Sequence, residues 1–454
     1  MRKRSLFAMS LISLALVACS SDEDVNKVID QENEGALVTL KLDVAKPQTK
    51  GSPEATNTQL GTEGENAINN VTVVVDYGTE KKYFTNTSAT WNATNKELTF
   101  KAPEGEATFY VYANANTADP VGTAWSADLV SAGTDVTAYH TDNSFFMSNQ
   151  NGTGVTHTIN AATDNAVSVN IERAAAKVTV ESKASFTDDT YGGTLSTMSF
   201  ALGNMVNKFY LLQQTNYTIP TSITYLPAND ATATDAWKNV TLGQSVSGEE
   251  AAQATAFIGA YCMENISTDN NQSTTTYAKF KTTFTPGKVL DFEAKTSDGK
   301  SGLTIKSDLK TVTLGEDETA PTFYVVLEGD RENVTSNYIL ATDITNKDGV
   351  TLTETTNKDG YTVTGIDGIS KISLPYTDGQ CYFGPIWFNI DNAGTTSPVY
   401  RNDWYHLTVT SIKLPGSPTE PGDGGDIPLI PDVNVTVTAT VLDWEWELRD
   451  IVLE

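Results

Sequence analysis

Reactive side chains are few in this chain of 454 residues, and their spacing excludes most chemistry before any fold is considered. The three histidines, His140, His157 and His406, are scattered, with no His-x-His or His-Glu-x-x-His run of the kind that holds zinc. The three cysteines, Cys19, Cys262 and Cys381, form no Cys-x-x-Cys pair for metal or redox work. Gly422-Asp423-Gly424-Gly425-Asp426 lacks the ladder of oxygen ligands and the distal Glu of a calcium loop, so it reads as linker. Asp and Glu are plentiful, but no pair stands apart from the solvated background as a glycosidase dyad would. His406 lies in a strand pattern, Trp404-Tyr405-His406-Leu407-Thr408-Val409, and reads as a hydrogen-bonded structural residue. The expectation is a protein that is not an enzyme, with no catalytic residue, metal or cofactor.

The chemistry that remains is chemistry done to the chain. Arg2, Lys3 and Arg4 precede an apolar stretch, Leu6 to Ala18, that is short for a membrane-spanning helix and suits a signal peptide over residues 1–18. It ends Leu16-Val17-Ala18-Cys19, which resembles a bacterial lipobox, where the chain is cut before the Cys and the new terminus is acylated (palmitate included). Cys19 is thus the expected lipidation site, anchoring an outer-membrane lipoprotein precursor, since several acyl chains together hold stably. A second cut is expected in Ala45-Lys46-Pro47-Gln48-Thr49-Lys50-Gly51-Ser52-Pro53. Lys46 precedes proline, a poor protease substrate, whereas Lys50-Gly51 lies in a polar segment of the kind that is most easily nicked.

These sites must be positioned by a β framework. Lys+Arg total 30 against Asp+Glu 57, a net charge of −27 that repels phosphate backbones and anionic lipid and excludes nucleic acid as a partner. With 39% hydrophobic residues the chain buries real cores. Short β-branched and aromatic runs recur between Asn, Asp, Gly and Thr clusters, predicting strands over 71–77, 107–113 and 177–181. Asn346-Lys347-Asp348-Gly349 and Asn357-Lys358-Asp359-Gly360 predict hairpin turns. The fold class is all-β: two tandem antiparallel β-sandwich domains, over 51–172 and 173–415, followed by a Pro/Gly linker at 416–431 and a strand extension at 432–454. A second linker is read around Pro47 to Glu65. Cys262 and Cys381 could pair in an oxidising compartment or serve as small buried hydrophobes.

Two segments outside the predicted sandwiches share one pattern. Val38, Leu40, Leu42 and Val44 alternate with polar residues inside the 19–50 segment, and Val433, Val435, Val437, Ala439 and Val441 do so near the other end. Each is a period-2 strand with a single apolar face. They read either as terminal strands of their own domains or as interchangeable occupants of one groove, since an edge strand can be supplied by another chain.

Three further segments carry a resemblance. Ile171-Glu172-Arg173-Ala174-Ala175-Ala176-Lys177-Val178, Ser397-Pro398-Val399-Tyr400-Arg401-Asn402-Asp403-Trp404-Tyr405-His406 and the closing Val441-Leu442-Asp443-Trp444 are, in order and behind a lipobox, similar to the fimbrillins of Bacteroidales, the type V pilins. Within them the chain resembles the major subunit of the short fimbriae of Porphyromonas. The resemblance implies transthyretin-like or Greek-key sandwiches and a precursor carried to the surface as a lipoprotein. It implies that an Arg- or Lys-specific protease cuts at Lys50/Gly51 (Lys here, where the Porphyromonas proteins have Arg). Removal of the strand bearing Val38 to Val44 would then open a groove for the C-terminal strand of the next subunit. Self-association into a homopolymer follows, with anchor and tip subunits as further partners. Possession of both removable strand and donor favours a stalk subunit over the alternative, a tip adhesin or surface glycan-binding lipoprotein using Trp91, Trp125, Trp237 and Trp387 as a sugar platform.

Overall fold

The computed structural model describes residues 35–44, 58–60, 62–132, 136–141, 143–182, 192–226, 237–240, 258–267, 271–316, 318–327, 329–330, 336–388, 396–412, 415–421 and 435–445. Cys19, Lys50, Gly51 and Val433 lie outside them. The chain is nearly all β, as its composition dictates.

The first sheet draws on β1 (Ala36–Val44), while β2 (Thr58–Leu60) belongs elsewhere. It continues with β3 (Val71–Asp76), β4 (Lys81–Thr85), β5 (Thr90–Asn92), β6 (Glu97–Ala102) and β7 (Gly105–Ala113). It is completed by β8 (Met147–Asn149), β9 (Val155–Ile159) and β10 (Asn165–Arg173). The strand order is β4-β3-β7-β8-β10-β1-β6-β5, with β9 also on β7. The sheet curls around one core in which Val38, Leu40, Val73, Phe109, Val111, Phe146 and Val169 are sealed from solvent.

The second sandwich is built from β11 (Ala175–Ser182), β12 (Gly193–Gly203), β13 (Lys238–Val240), β14 (Ile258–Met263) and β15 (Tyr277–Pro286). A further hairpin joins β16 (Thr351–Glu354) and β17 (Gly360–Thr364). Then come β18 (Gln380–Ile386), β19 (Asp403–Ile412) and β20 (Val435–Glu445). One sheet has the order β14-β11-β19-β20-β2 and the other β13-β12-β15-β18. Val178, Val180, Tyr405 and Leu407 from the first share a core with Phe200, Phe280, Phe284 and Phe383 from the second. Residues 290–372 carry a separate small core that includes Leu290, Ile339 and Ile372.

Among the two predicted turns, Asn357 to Gly360 does join a hairpin, β16 to β17. The other, Asn346 to Gly349, instead follows a four-residue helix, Ala341–Ile344, so it makes no hairpin. Period-2 patterning marks a face of a strand but not its neighbours, and three pairings inside these sheets are parallel: β1 with β10, β11 with β19, and β2 with β20.

Candidate functional site: the groove of the first sheet and the C-terminal strand

β1 sits where its sequence demands. Ala36, Val38, Leu40, Leu42 and Val44 are all buried, while Leu37 on the opposite face is 57% exposed. It runs parallel to β10 from Val38 opposite Asn165 to Val44 opposite Ile171. On its other side it runs antiparallel to β6, from Ala36 opposite Ala102 to Lys41 opposite Glu97. Asn165 Nδ2 donates to the Leu37 carbonyl at 2.9 Å, and the Leu42 amide donates to the Lys96 carbonyl at 2.9 Å. The Ala36 end is close-packed: Gly35 has φ +140°, and a Cβ there would come within 2.6 Å of the Ala102 carbonyl oxygen. Take β1 away and two edges, β10 and β6, are left facing each other across an apolar slot.

The C-terminal strand lies on its own domain. β20 pairs antiparallel with β19, from Asp403 opposite Asp443 to Ile412 opposite Val435, with a bulge between Val409 and Ser411. Among the described residues its other edge is covered at Asp443 to Glu445, where β2 pairs with it. The stretch leading to it, read as linker from residue 416, is fixed at its start. Tyr382 and Ser417 exchange amide–carbonyl bonds at 2.9 and 2.7 Å, and the Tyr376 hydroxyl donates to the Gly416 carbonyl at 2.7 Å. Lys279 is ion-paired with Glu420. Residues 422–434 lie outside the described residues.

Between groove and C-terminal strand stands a buried polar junction. Two of the three segments that carried the family resemblance meet there, although 229 residues separate Arg173 from Asn402: Arg173 Nη1 donates to Asn402 Oδ1 at 2.9 Å. Arg173 Nε also donates to the Glu65 carbonyl at 3.0 Å, and Nη2 donates to Asn66 Oδ1. Lys177 Nζ lies 2.7 Å from Glu65 Oε1 and 4.1 Å from the centre of the Trp404 ring. Burial opposes the charge on Glu65, but Lys177, the Tyr261 hydroxyl at 2.5 Å and the Thr62 amide outweigh it and hold the carboxyl below its usual range. Arg401 forms a second buried pair with Glu264 at 3.2 Å. Glu65 was read as the end of a linker by sequence; a lone polar residue in a Gly- and Asn-rich stretch gives no sign of partners more than 100 residues away.

The remaining sequence-singled residues fall as follows. Cys262 and Cys381 are both free and buried, with burial pushing the Cys262 thiol up to about 12 and the Cys381 thiol above its ordinary value. His406 Nδ1 shares a 2.9 Å hydrogen bond with the Thr179 hydroxyl, the structural role expected of it. The four tryptophans do not form one platform. Trp125 is buried against Tyr110 and Trp387 against Tyr277, whereas Trp91 packs on the first core and Trp237 lies between Tyr382 and Lys281. Among the described residues no group of three His, Cys, Asp or Glu is placed to hold a metal, and no helix is long and apolar enough to cross a membrane.

Residues 375–450, which span β18, β19 and β20, match the family model described as major fimbrial subunit protein type IV, fimbrillin, C-terminal. No curated protein sequence matches the chain. Solved structures similar to it include a fimbrillin from Porphyromonas gingivalis, 14% identical, covering 92% of this chain and 99% of that one at a TM-score of 0.46. Another is a tip fimbrial protein of the same organism with a C-terminal truncation, 13% identical over 90% of this chain and all (100%) of that one, at 0.35. A candidate cell adhesion protein from Bacteroides eggerthii is 16% identical over 91% and 97% at 0.42. The family match covers β18 to β20, so what is shown is that this C-terminal region is similar to the C-terminal part of fimbrillins.

Proposed function

We propose that this fimbrial subunit is a stalk component, exported as a lipoprotein acylated at Cys19 and polymerised by protease-triggered strand exchange in support of adhesion. The observation that carries the reading is the placement of β1. It is a central strand with a ladder on both sides, yet its only covalent link to the rest of its sheet runs through the segment holding Lys50-Gly51. After a cut there, β1 is held by non-covalent contacts alone. The C-terminal strand offers a matching apolar face, Val433, Val435, Val437, Ala439 and Val441.

The energetics suit an exchange. Burying five such side chains contributes roughly 7–15 kcal/mol before ordering entropy is subtracted, enough to hold a subunit in a fibre. An Arg- or Lys-specific surface protease would act first, and anchor and tip subunits would close the two ends. The dispersal of the four tryptophans weighs against a sugar-binding role. The test is the N-terminus of the protein in fimbriae sheared from the native cells, read by mass spectrometry. A polymer beginning at Gly51 is the expected result. A monomer still beginning at acylated Cys19 would make the chain an anchor or a surface-binding lipoprotein.

A further inference from the structure

The first core and the second sandwich are joined by more than the chain that runs between them. β10 ends at Arg173 and β11 begins at Ala175, so a single buried residue, Ala174, is the covalent link. Two units joined so briefly would still pivot unless a large apolar contact spans them. That contact comes from an excursion of the second sandwich beyond β12. Two short strands, Met205–Val206 and Tyr225–Leu226, pair and close its base. Its apolar residues do not join the second core: Val206, Phe209, Leu211 and Leu212 are buried in the first, with Val111, Tyr139 and Phe146.

Residues 127–132, between β7 and β8, receive the excursion. The Ser131 amide donates to the Phe209 carbonyl at 2.9 Å and the Leu211 amide to the Leu129 carbonyl at 2.8 Å. Gln214 Nε2 adds a bond to the Ala127 carbonyl at 2.8 Å. The Phe209 ring stands edge-on to Tyr139, with centroids 5.0 Å apart, and Tyr139 is fixed in turn by its 2.8 Å bond to Asp119 Oδ1. The turn between β8 and β9 closes in as well, for a Cβ on Gly152 would fall 1.9 Å from the Gln213 carbonyl oxygen. Val130 and Tyr210 face each other as a non-hydrogen-bonded antiparallel pair, which leaves the Tyr210 carbonyl free. Arg401 of the second sandwich takes it: Nη2 donates at 3.0 Å, while Nε pairs with Glu264 at 3.2 Å.

We infer that residues 205–226 are a strap that locks the two sandwiches into one cooperative, mechanical unit. Apolar side chains hold it to the first core, and a buried guanidinium holds its back to the second sandwich. The consequence rests on the fimbrial reading: a subunit in a fibre passes tension between its sandwiches without bending at Ala174 and without one unfolding ahead of the other.

Pulsed hydrogen exchange of the isolated full chain across a urea series tests the lock, with peptides from β3 and β7 reporting the first core and peptides from β15 and β18 the second. One shared midpoint is expected, and two midpoints in the native chain would overturn the lock. Phe209→Ala should split them, the first-core peptides opening on the order of a hundredfold more readily. A midpoint that falls without splitting would overturn the strap. Where Phe209→Ala does not fold, Val130→Cys with Tyr210→Cys reads the same contact from outside the core. Such a pair lies about 4.5 Å apart at Cα, within disulfide reach, and the native thiols Cys262 and Cys381 are buried. The expected result is a cross-link in the folded chain, with coincident midpoints in both its oxidised and reduced forms. No cross-link, or midpoints that coincide only when the bond is closed, would overturn the lock. None of these readouts needs a polymer, so their failure is separate from that of the stalk reading, which the N-terminus of sheared fimbriae decides.

Discussion

The strands Ala36–Val44 and Val435–Glu445 carry the same alternation of apolar and polar residues but meet their sheets differently. β1 has laddered neighbours along both edges, β10 and β6, and five side chains almost without solvent contact. β20 has one long ladder, interrupted by a bulge, and, among the described residues, a partner on its other edge for three residues. A strand buried on both edges contributes to the core it crosses, whereas a strand at the margin contributes mainly its own pairing. The sequence pattern is thus shared while the energetic dependence is not. The proposed strand exchange would need this inequality, since the C-terminal strand would have to leave its resting position more easily than β1 leaves the slot.

The largest expected effect separates the two strands directly. Leu40→Ala removes a fully buried side chain from the first core and should cost about 2–5 kcal/mol in equilibrium unfolding of the uncut chain. Val437→Ala in β20, a strand with one long ladder, should cost less in the same denaturant titration. Equal losses would break the comparison, because they would make the C-terminal strand as integral to its domain as β1 is to its own.

The next effect concerns the junction between them. Glu65 is held ionised by Lys177, Tyr261 and the Thr62 amide, so its carboxyl titrates below the unfolded value of 4.5. A group with a depressed folded pKa contributes stability that is complete above the unfolded value and is lost as pH falls through the folded one. Unfolding free energies measured from pH 6 down to pH 3 should therefore fall further in the native chain than in Glu65→Gln, the loss setting in below pH 4.5. The substitution itself should destabilise at pH 7, where it leaves Lys177 buried without its counter-charge. An identical acid profile in both proteins would mean that the first residues after the cleavage segment are not anchored by this pair.

How much of this was legible in the sequence depends on the kind of interaction. The apolar face of β1 and the strands around 71–77, 107–113 and 177–181 are written in period 2, because burial on one face imposes it. The buried Arg173 and Lys177 could be singled out only through the family resemblance, since by type they are surface residues. Their partner Glu65 was missed altogether: its burial depends on three groups supplied by distant strands, which no local pattern encodes. The parallel pairing of β1 with β10 was likewise invisible, because alternation fixes which side chains face inward and leaves the neighbouring strand unspecified. The turn at Asn346 to Gly349 was misassigned for a related reason. Asp-Gly supplies the positive φ a turn needs, and Gly349 has φ +79°, but the same turn serves equally after a helix.

The smallest expected effect concerns the anchored start of the stretch that leads to β20. Residues 416–420 are bound to β18 and to Lys279, so the stretch leading to β20 starts on one sheet of the second sandwich while β20 rests on the other. Lys279 is almost fully buried and Glu420 about a quarter exposed, so the pair should add about 0.5–1 kcal/mol, near the upper range of partly solvated pairs. Lys279→Met keeps the aliphatic contact and removes the charge. It should leave the unfolding midpoint nearly unchanged while raising the amide exchange rate of Ser417, whose bond to Tyr382 closes the same anchor. Protection that persists at Ser417 would show the backbone bridge to be sufficient by itself. Protection lost as far back as β18 would show that the arm stabilises the sheet edge instead of merely leaving from it, and the contrast between an integral β1 and a marginal C-terminal region would narrow accordingly.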